Sequence, residues 1–452
     1  MIVPIFKLIR PGLAAMVAMG LGCARILAVG QEQVDYALEV APVWAGHPVG
    51  FALLTRGTNQ YVAFYDTNRQ MTVAWRGIPS REWTLQKLDS RVGWDSHNYI
   101  TMALDANECL HVSGNMHVNP LVYFQSTRPR DITSLQRMPS LVGDREKRTT
   151  YPRFLRGPGG ELVFTYRDGQ SGNGDQILDV YDARSHKWKR LLDTPLFGGL
   201  GKMNAYYSGP EVGPDQYYHI CWVWRNTPDC SSNHDLSYAR SRDLIHWETS
   251  AGKPVPVPIT LATGEIVDPV PTRGGLLNGN TRVGFDSRGR TIISYHKHDA
   301  NGFTQIYCAR LEEGRWKQYQ VSDWDYHWEF NGGGTTIAEL TVGNVTWSEG
   351  QLTLPYGHAK KGGGVWVLDE ATLKPTGKAQ RANPFGRFDK DSEVTFPGLQ
   401  FRSASDLGAK PTDGSYYTLR WQTLGANRDR PREGPLPPPT SLRLFKVTGA
   451  NK

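Results

Sequence analysis

The feature that most constrains the fold is a strand pattern that repeats along nearly the whole chain. One unit runs from Val62 to Trp83 and another from Arg153 to Trp188. Each unit has an apolar strand, a turn with Asp, Gly or Asn, a second strand, a polar loop and a third strand. Many units close on a Trp. The units recur roughly every 40–50 residues, a spacing typical of four-stranded propeller blades.

We count about seven such units, of which the last two, around residues 345–368 and 416–447, are weaker copies. Inside each unit apolar and polar residues alternate with a period of two, which indicates strands. The 48 Gly and 29 Pro suit short strands joined by turns. The sequence therefore predicts an all-β protein, a seven-bladed β-propeller of four-stranded antiparallel blades. An irregular pair of β-sandwiches is the alternative fold.

The first 30 residues have the features of an export signal. A basic start precedes a short apolar stretch at 12–22, and small residues up to Gly30 suit cleavage. The apolar stretch is too short to span a membrane comfortably, and no other segment is a candidate span. We predict a signal peptide at 1–30, a single propeller domain at 31–452 and a secreted or periplasmic protein. A lipoprotein anchor at Cys23 is the less favoured alternative.

Removal of this leader leaves four cysteines, Cys109, Cys221, Cys230 and Cys308. Export makes disulfides permissible. Cys221 and Cys230 flank one predicted hairpin and are the candidate pair, whereas Cys109 and Cys308 lie in apolar strands and are predicted to be buried thiols. The cysteine spacing matches no zinc motif, so we predict no metal at these residues.

The charge balance favours an anionic partner. The formal net charge is +7, and an excess of Lys and Arg attracts polyanions in general. Because the basic residues are scattered and no nucleic-acid-binding motif is present, we expect an acidic polysaccharide or oligosaccharide and no nucleic acid. We also expect a monomer.

The candidate catalytic residues come from two consecutive units. His97 precedes the first strand of the second unit, and His117 follows its second strand. Tyr151 and Arg167 occupy the same two places in the third unit. A hairpin returns the chain to the end from which it started, and the loops of a propeller converge near its axis. We therefore predict that all four side chains face one funnel.

These residue types suit β-elimination from a uronic acid. That reaction requires neutralisation of the carboxylate, removal of the C5 proton and protonation of the leaving O4. An arginine is always charged and can bind a carboxylate through two nitrogens. Histidine and tyrosine can share the proton transfers when their pKa values are tuned by the site. Fixed positive charge then stabilises the enolate-like intermediate.

Other polar residues near the same strand ends are predicted to bind substrate. In the unit that ends near Trp316, residues 295–299 follow the second strand, as His117 and Arg167 do in theirs. Similar positions before or after strands hold candidates in other units. The predicted substrate-binding residues are Asn98, Tyr207, Arg225, Asn280, Tyr295, His296, Lys297 and His358.

Four segments carry a resemblance to a known family. Residues 95–124, 151–154, 166–174 and 279–299 resemble the BNR-repeat propellers, a group that includes ulvan lyases and rhamnose–glucuronate lyases. The likeness weakens after Gly343. It implies a lyase that cleaves rhamnose–uronate linkages, glucuronate or iduronate, by β-elimination.

The same resemblance implies roles for individual residues. It implies that His97, His117, Tyr151 and Arg167 are catalytic, with Arg167 and one histidine handling the carboxylate. We expect His97 to act as the base and Tyr151 as the acid. No cofactor is required for this chemistry, and a structural Ca²⁺ at the centre of the propeller is compatible with it.

Two other functions compete with the lyase. A glycoside hydrolase on rhamnosyl–glucuronate or sialidase-like substrates is the first, and a sialidase needs a Tyr/Glu pair that the loops do not clearly offer. A non-catalytic glycan-binding propeller is the second, because binding a uronate also requires Arg, His and Tyr.

Overall fold

The computed structural model describes residues 32–379, 383–390, 394–408 and 413–448. The predicted signal peptide, with the candidate anchor Cys23, lies outside these residues. Within them the regular secondary structure is almost entirely β-strand, with one short α-helix, α1 (Gly386–Lys390), and two 3₁₀ helices at Ile132–Ser134 and Cys230–Ser232. The all-β prediction is confirmed.

Most strands are joined as antiparallel neighbours in chain order. After β1 (Gln33–Val43), the first four-stranded sheet contains β2 (Ala52–Arg56), β3 (Asn59–Tyr65), β4 (Gln70–Gly77) and β5 (Thr84–Arg91). The next sheet contains β6 (Ile100–Leu104), β7 (Leu110–Gly114), β9 (Tyr123–Ser126) and β10 (Leu135–Arg137). Between β7 and β9, the short β8 (His117–Asn119) leaves this sheet and pairs with the following one.

The third and fourth units form sheets of five and six strands. The third sheet adds β11 (Thr149–Arg156), β12 (Leu162–Gln170), β13 (Asn173–Asp182) and β14 (Lys187–Arg190) to β8. The fourth contains β15 (Asn204–Val212), β16 (Tyr218–Arg225), β17 (Asn233–Ser241), β18 (Trp247–Glu248), β19 (Pro254–Val255) and β20 (Glu265–Asp268).

A nine-stranded sheet combines two units. Its first part is β21 (Arg282–Phe285), β22 (Thr291–His298), β23 (Thr304–Glu312) and β24 (Arg315–Gln320). Its second part is β25 (Leu340–Val342), β26 (Thr346–Ser348), β27 (Gln351–His358), β28 (Gly362–Leu368) and β29 (Pro375–Lys378). A single parallel bridge between Phe285 and Thr346 joins the two parts.

The two ends of the described chain meet in one sheet. It contains β30 (Leu399–Ser405), β31 (Tyr416–Leu424) and β32 (Thr440–Thr448), and β1 completes it by pairing with β32. A bridge from Leu53 to Asp406 connects this sheet to the first one. The period of two is visible in β32, where Leu442 and Leu444 are buried and Arg443 between them is partly exposed.

The core lies between neighbouring sheets and is rich in aromatic side chains, including the fully buried Trp222 and Trp224. All four cysteines in the described chain are buried and free, so the predicted Cys221–Cys230 disulfide is wrong. Cys221 lies inside β16 and packs in one apolar cluster, whereas Cys230 follows the strand and packs in another. No helix in the described ranges is long and apolar enough to cross a membrane.

Candidate active site

The two predicted histidines lie side by side. His97 is in the loop before β6, and His117 begins β8, which carries it across to the third sheet by pairing with Thr150. Their ring centroids are 4.2 Å apart with an angle of 31° between the planes. Residues 20 positions apart in sequence thus form one imidazole pair at the edge of a cavity.

Asp95 binds both imidazoles and fixes their orientation. One of its carboxylate oxygens lies 2.6 Å from Nδ1 of His97, and the other lies 2.5 Å from Nδ1 of His117. Burial alone would raise the pKa of Asp95, but hydrogen bonds from His117 and His97 outweigh it and hold the pKa well below its usual range. Because an ionised carboxylate only accepts, each Nδ1 carries a hydrogen, and each Nε2 is left for substrate.

Tyr151 joins the pair from β11. Its ring centroid lies 5.7 Å from that of His97 and 6.3 Å from that of His117. The backbone at Tyr151 has φ of +57°, at an irregularity in the pairing of β11 with β12. A tyrosine rarely adopts this left-handed conformation, and such strain concentrates at functional sites. Burial, and then the neighbouring Tyr206, raise the pKa of Tyr151 well above its ordinary value.

Arg167 lies beneath the tyrosines and is only 2% exposed. Its guanidinium carbon is 4.9 Å from the centroid of the Tyr151 ring, and its Nη1 donates a 3.0 Å hydrogen bond to the hydroxyl of Tyr206. Nε and Nη2 are buried and have no hydrogen-bond partner in the described chain. Gly174 on β13 makes room for this side chain, because a Cβ there would lie 2.9 Å from Cδ of Arg167.

Tyr206 is a central residue of the site, although the predicted substrate-binding set contains its neighbour Tyr207 and not Tyr206. Alternation along β15 sends Tyr206 towards the site and Tyr207 to the other side. The Tyr206 hydroxyl lies 2.6 Å from Oγ of Ser171, and its ring centroid is 5.4 Å from the guanidinium carbon of Arg225. Burial would raise the pKa of Tyr206, but the charges of Arg167 and Arg225 outweigh it and lower the pKa.

One open cavity of about 560 Å³ lies against this cluster. Arg167, which was predicted to face it, is buried and is not part of its lining. The lining includes His97, His117, Tyr151, Tyr206, Arg225, Asn280, Arg282 and residues 333–336. Among the described residues that line it, none is an Asp or Glu. The cavity is therefore electropositive and suits an anionic ligand.

A second carboxylate, Asp429, holds the rim of this cavity together from the loop after β31. It accepts hydrogen bonds from the backbone N–H of Ser96 at 3.0 Å and of Thr335 at 2.6 Å. It also accepts from the hydroxyl of Ser96 at 2.9 Å, and it lies 3.4 Å from Nδ1 of His97 and 3.6 Å from Nε2 of His47. Asp429 thus links the His97 loop to two segments more than 200 residues away in sequence.

Two predicted substrate-binding residues line the cavity. Arg225 donates to the carbonyl oxygen of Thr227 at 3.1 Å and to the side-chain oxygen of Asn278 at 3.1 Å. Asn280 uses its amide group to bind the backbone of Leu340 and Val342, so it shapes the wall. Asn98 is buried beside His97 but is not part of the lining.

The other predicted binding residues lie away from this cavity. Tyr295 and Lys297 both donate to Asp268, the lysine at 2.6 Å. His296 is buried against Trp328, with ring centroids 5.4 Å apart. His296 is covered because the segment after β24 packs over the end of β22, whereas Tyr295 and Lys297 are held by Asp268 of β20.

Tyr207 and His358 are also engaged elsewhere. The ring of Tyr207 contacts the guanidinium of Arg153, on the face of β15 opposite to Tyr206. Nδ1 of His358 accepts hydrogen bonds from the backbone N–H groups of Lys360 and Lys361 at 3.0 and 3.2 Å. His358 is the last residue of β27 and Tyr207 lies within β15, and neither side chain lines the cavity.

The described residues contain one group with metal-ligand chemistry, Asp95, His97 and His117. Ligand atoms around a tetrahedral zinc ion lie roughly 3.3 Å apart, given bonds of about 2.0 Å. The carboxylate–imidazole separations of 2.5 and 2.6 Å are instead those of charge-assisted hydrogen bonds. The arrangement therefore fits proton chemistry better than a bound metal.

Comparisons with known proteins agree with the all-β fold. A model described as a BNR repeat-containing family member matches residues 59–324. The crystal structure of polysaccharide lyase Uly1 has a TM-score of 0.58 at 13% identity, covering 93% of this chain and 100% of that one. A PL25 ulvan lyase bound to -[GlcA(1-4)Rha3S]- has a TM-score of 0.60 at 12% identity, covering 91% and 95%. No curated protein sequence matches this chain.

Proposed function

Because the chain belongs to the BNR repeat-containing family, we propose that it is a polysaccharide lyase acting on an acidic glycan. The proposed reaction is β-elimination at a uronic acid, which leaves a C4–C5 unsaturated uronate. One observation carries the proposal. A single cavity is bordered by two imidazoles, two tyrosines and an arginine pair, and its described lining has no acidic side chain.

The charge of the cavity supports a uronate as the reacting sugar. Arg225 and Arg282 line it, and the buried Arg167 adds a third positive charge beneath Tyr206. The carboxylate of the uronate is drawn to this field, and its neutralisation makes the C5 proton more acidic. Arg167 is shielded by the tyrosines, so its charge acts through Tyr206 and not by direct contact.

The histidine pair and Tyr151 supply hydrogen bonds and protons. Asp95 and the two imidazoles are neutral as a group when one imidazole is protonated. The protonated ring then donates a hydrogen bond from Nε2 to the substrate carboxylate. The neutral ring accepts a hydrogen bond from a sugar hydroxyl or takes up a proton. Tyr151 holds its proton firmly at neutral pH, which suits the acid that protonates the leaving O4.

The substrate is proposed to contain rhamnose–uronate linkages. The PL25 ulvan lyase of similar fold is bound to -[GlcA(1-4)Rha3S]-, which joins a glucuronate to a sulfated rhamnose. The cavity is open, and its volume of about 560 Å³ lies within the usual range for pockets that bind organic ligands. Glucuronate and iduronate are both accommodated by this proposal.

The repeating units are proposed to be seven blades of one propeller, closed by β1 in the last blade. The protein is proposed to be secreted or periplasmic and monomeric, and to need no cofactor for the reaction. A structural Ca²⁺ at the propeller centre is compatible with this chemistry.

Hydrolysis is less well supported by the same cavity. Most glycoside hydrolases place two carboxyl groups on either side of the bond that breaks. Asp95 contacts two of the residues that line the cavity, and both of its oxygens are engaged by their imidazoles. Neither a carboxylic acid catalyst nor a Tyr/Glu nucleophile pair borders the described cavity.

A single assay separates the lyase from its alternatives. The protein is incubated with ulvan, with rhamnose-capped glucuronan oligosaccharides and with gum arabic, while ultraviolet absorbance of an unsaturated uronate and new reducing ends are measured. Absorbance that rises together with reducing ends supports the lyase. Reducing ends without absorbance indicate a hydrolase, and retention on the glycan without either indicates a binding protein, so both results contradict the proposal.

A further inference from the structure

Two buried arginines of the site form no salt bridge in the described part of the chain. Arg167 is 2% exposed and Arg225 is 6% exposed. Neither forms an ion pair with a carboxylate in the described part of the chain, and Arg225 is instead bound by carbonyl and amide oxygens. A buried charge without a counterion is costly, so the site favours any nearby group that can become an anion.

Tyr206 is the titratable side chain that contacts both arginines. Its ring centroid is 5.6 Å from the guanidinium carbon of Arg167 and 5.4 Å from that of Arg225. Its hydroxyl oxygen accepts a hydrogen bond from Nη1 of Arg167 at 3.0 Å. Ser171 lies 2.6 Å from the same oxygen and can donate a second hydrogen bond. Two donors and two positive charges stabilise a phenolate more than a phenol.

Tyr151, 6.0 Å away between ring centroids, has the opposite environment. It is close to Arg167, but no hydrogen bond to its hydroxyl is present in the described structure, and burial keeps it protonated. Two titratable groups whose surroundings separate their pKa values are the usual arrangement for an acid and a base in one site.

We propose that Tyr206, in place of His97, is the base that removes the C5 proton, and that Tyr151 is the acid. This inference rests on the proposed lyase function. The phenolate oxygen of Tyr206 takes the proton, the C5–H electron pair forms the C4=C5 double bond, and the C4–O4 bond breaks. The departing O4 receives the proton of Tyr151. Water then returns a proton to Tyr151 and removes one from Tyr206.

This assignment gives the histidines a different task. His97 and His117 present Nε2 atoms to the cavity from rings held by Asp95, which suits binding of the carboxylate and of a sugar hydroxyl. Tyr206 lines the same cavity and is 8% exposed, so its hydroxyl is shielded from bulk water but reachable by substrate.

The test compares ionisation and catalysis in the full-length protein. Tyrosines labelled with ¹³C at the ring carbon bearing oxygen are titrated by NMR in the wild type, Tyr206→Phe and Tyr151→Phe. We expect the lowest-titrating tyrosine signal to vanish only in Tyr206→Phe, and kcat of that variant to fall by about 10²–10⁴-fold with little change in KM. Ser171→Ala removes one hydrogen-bond donor to the phenolate. It is therefore expected to shift the acidic limb of the kcat–pH profile to higher pH.

Tyr217→Phe is the matched control, because Tyr217 also lies between two guanidinium groups, those of Arg240 and Arg242, but away from the cavity. It is expected to leave activity unchanged. Full lyase activity in Tyr206→Phe, or persistence of the low-titrating signal in that variant, would overturn the assignment. If Tyr206→Phe fails to fold, an unchanged pH profile in Ser171→Ala overturns it instead. A wild type that shows the low-titrating signal but no lyase activity on any glycan would overturn the proposed function itself.

Discussion

Two histidine clusters occupy similar places in their units but have opposite environments. His97 and His117 flank the strands of the second unit, share the carboxylate of Asp95 and border an open cavity. His296 and His298 end β22 and are covered by the segment after β24. Within the part of the chain that the structure describes, neither ring nitrogen of His296 makes a hydrogen bond of ordinary length and angle. A strand-end position therefore brings a side chain to the rim, and the covering segment decides whether substrate reaches it.

The sharpest way to test this contrast is to remove one imidazole at a time. His97→Ala and His117→Ala are each expected to lower kcat/KM by about 10²–10⁴-fold, because each removes a donor or acceptor at the reacting sugar. The measurement is the initial rate of unsaturated uronate formation. His246→Ala, at a histidine whose side chain is 86% exposed, is the control and is expected to retain full activity. Equal activity in all three variants would contradict the site.

Replacement of Asp95, the carboxylate shared by His97 and His117, is expected to have the next largest effect on activity. Asp95→Asn keeps the shape of the side chain but places an amide N–H donor opposite one Nδ1. The imidazole that faces this donor must then change tautomer. A loss of roughly 10²-fold in kcat is expected, with little change in thermal stability. A variant with normal kcat over the whole pH range would show that Asp95 does not orient the pair.

The covered cluster is expected to affect stability instead of catalysis. Burial lowers the pKa of His296 to about 3. An unfolded histidine titrates near 6.5, so between these pH values the unfolded chain binds a proton that the folded chain does not. Stability therefore falls as the pH drops from about 6.5 towards 3, by up to about 1.4 kcal/mol per pH unit.

His296→Leu should remove that pH dependence while keeping lyase activity within about threefold of wild type. Denaturant unfolding at pH 7 and pH 5 measures the effect as the difference between the two proteins. The same acid sensitivity in wild type and variant would show that His296 is not the responsible group. A large loss of activity would instead show that His296 takes part in catalysis or substrate binding.

The smallest expected effect is at Lys297. Its ammonium group lies 2.6 Å from Asp268, and the lysine side chain is 20% exposed. Lys297→Met should lower the free energy of unfolding by roughly 1 kcal/mol and leave KM for the glycan unchanged. A several-fold rise in KM would instead mean that Lys297 contacts substrate.

Much of the fold and part of the site could be predicted from the sequence. The alternation of period two gave the strands, because each strand has one buried and one less buried face. The meeting of His97 with His117, and of Tyr151 with Arg167, followed from strand order, since a hairpin returns the chain to its starting edge.

Other features depend on three-dimensional packing that no local sequence pattern predicts. The link from Asp429 to the His97 loop joins segments 333 residues apart. The burial of Arg167 beneath the tyrosines depends on Gly174 of the adjacent strand. Alternation along β15 contained a signal for Tyr206, because only one of the adjacent tyrosines can face the cavity, but the sequence alone did not indicate which one.

The most direct test of the lyase assignment is to digest the glycan in ¹⁸O-enriched water and to measure the product masses by mass spectrometry. Elimination breaks the C4–O4 bond without adding water, so the account predicts products that contain no solvent oxygen and an unsaturated uronate at the new end. His97→Ala and Tyr206→Phe should form far less of this product. Incorporation of one heavy oxygen atom at each cleaved linkage would show hydrolysis and contradict the account.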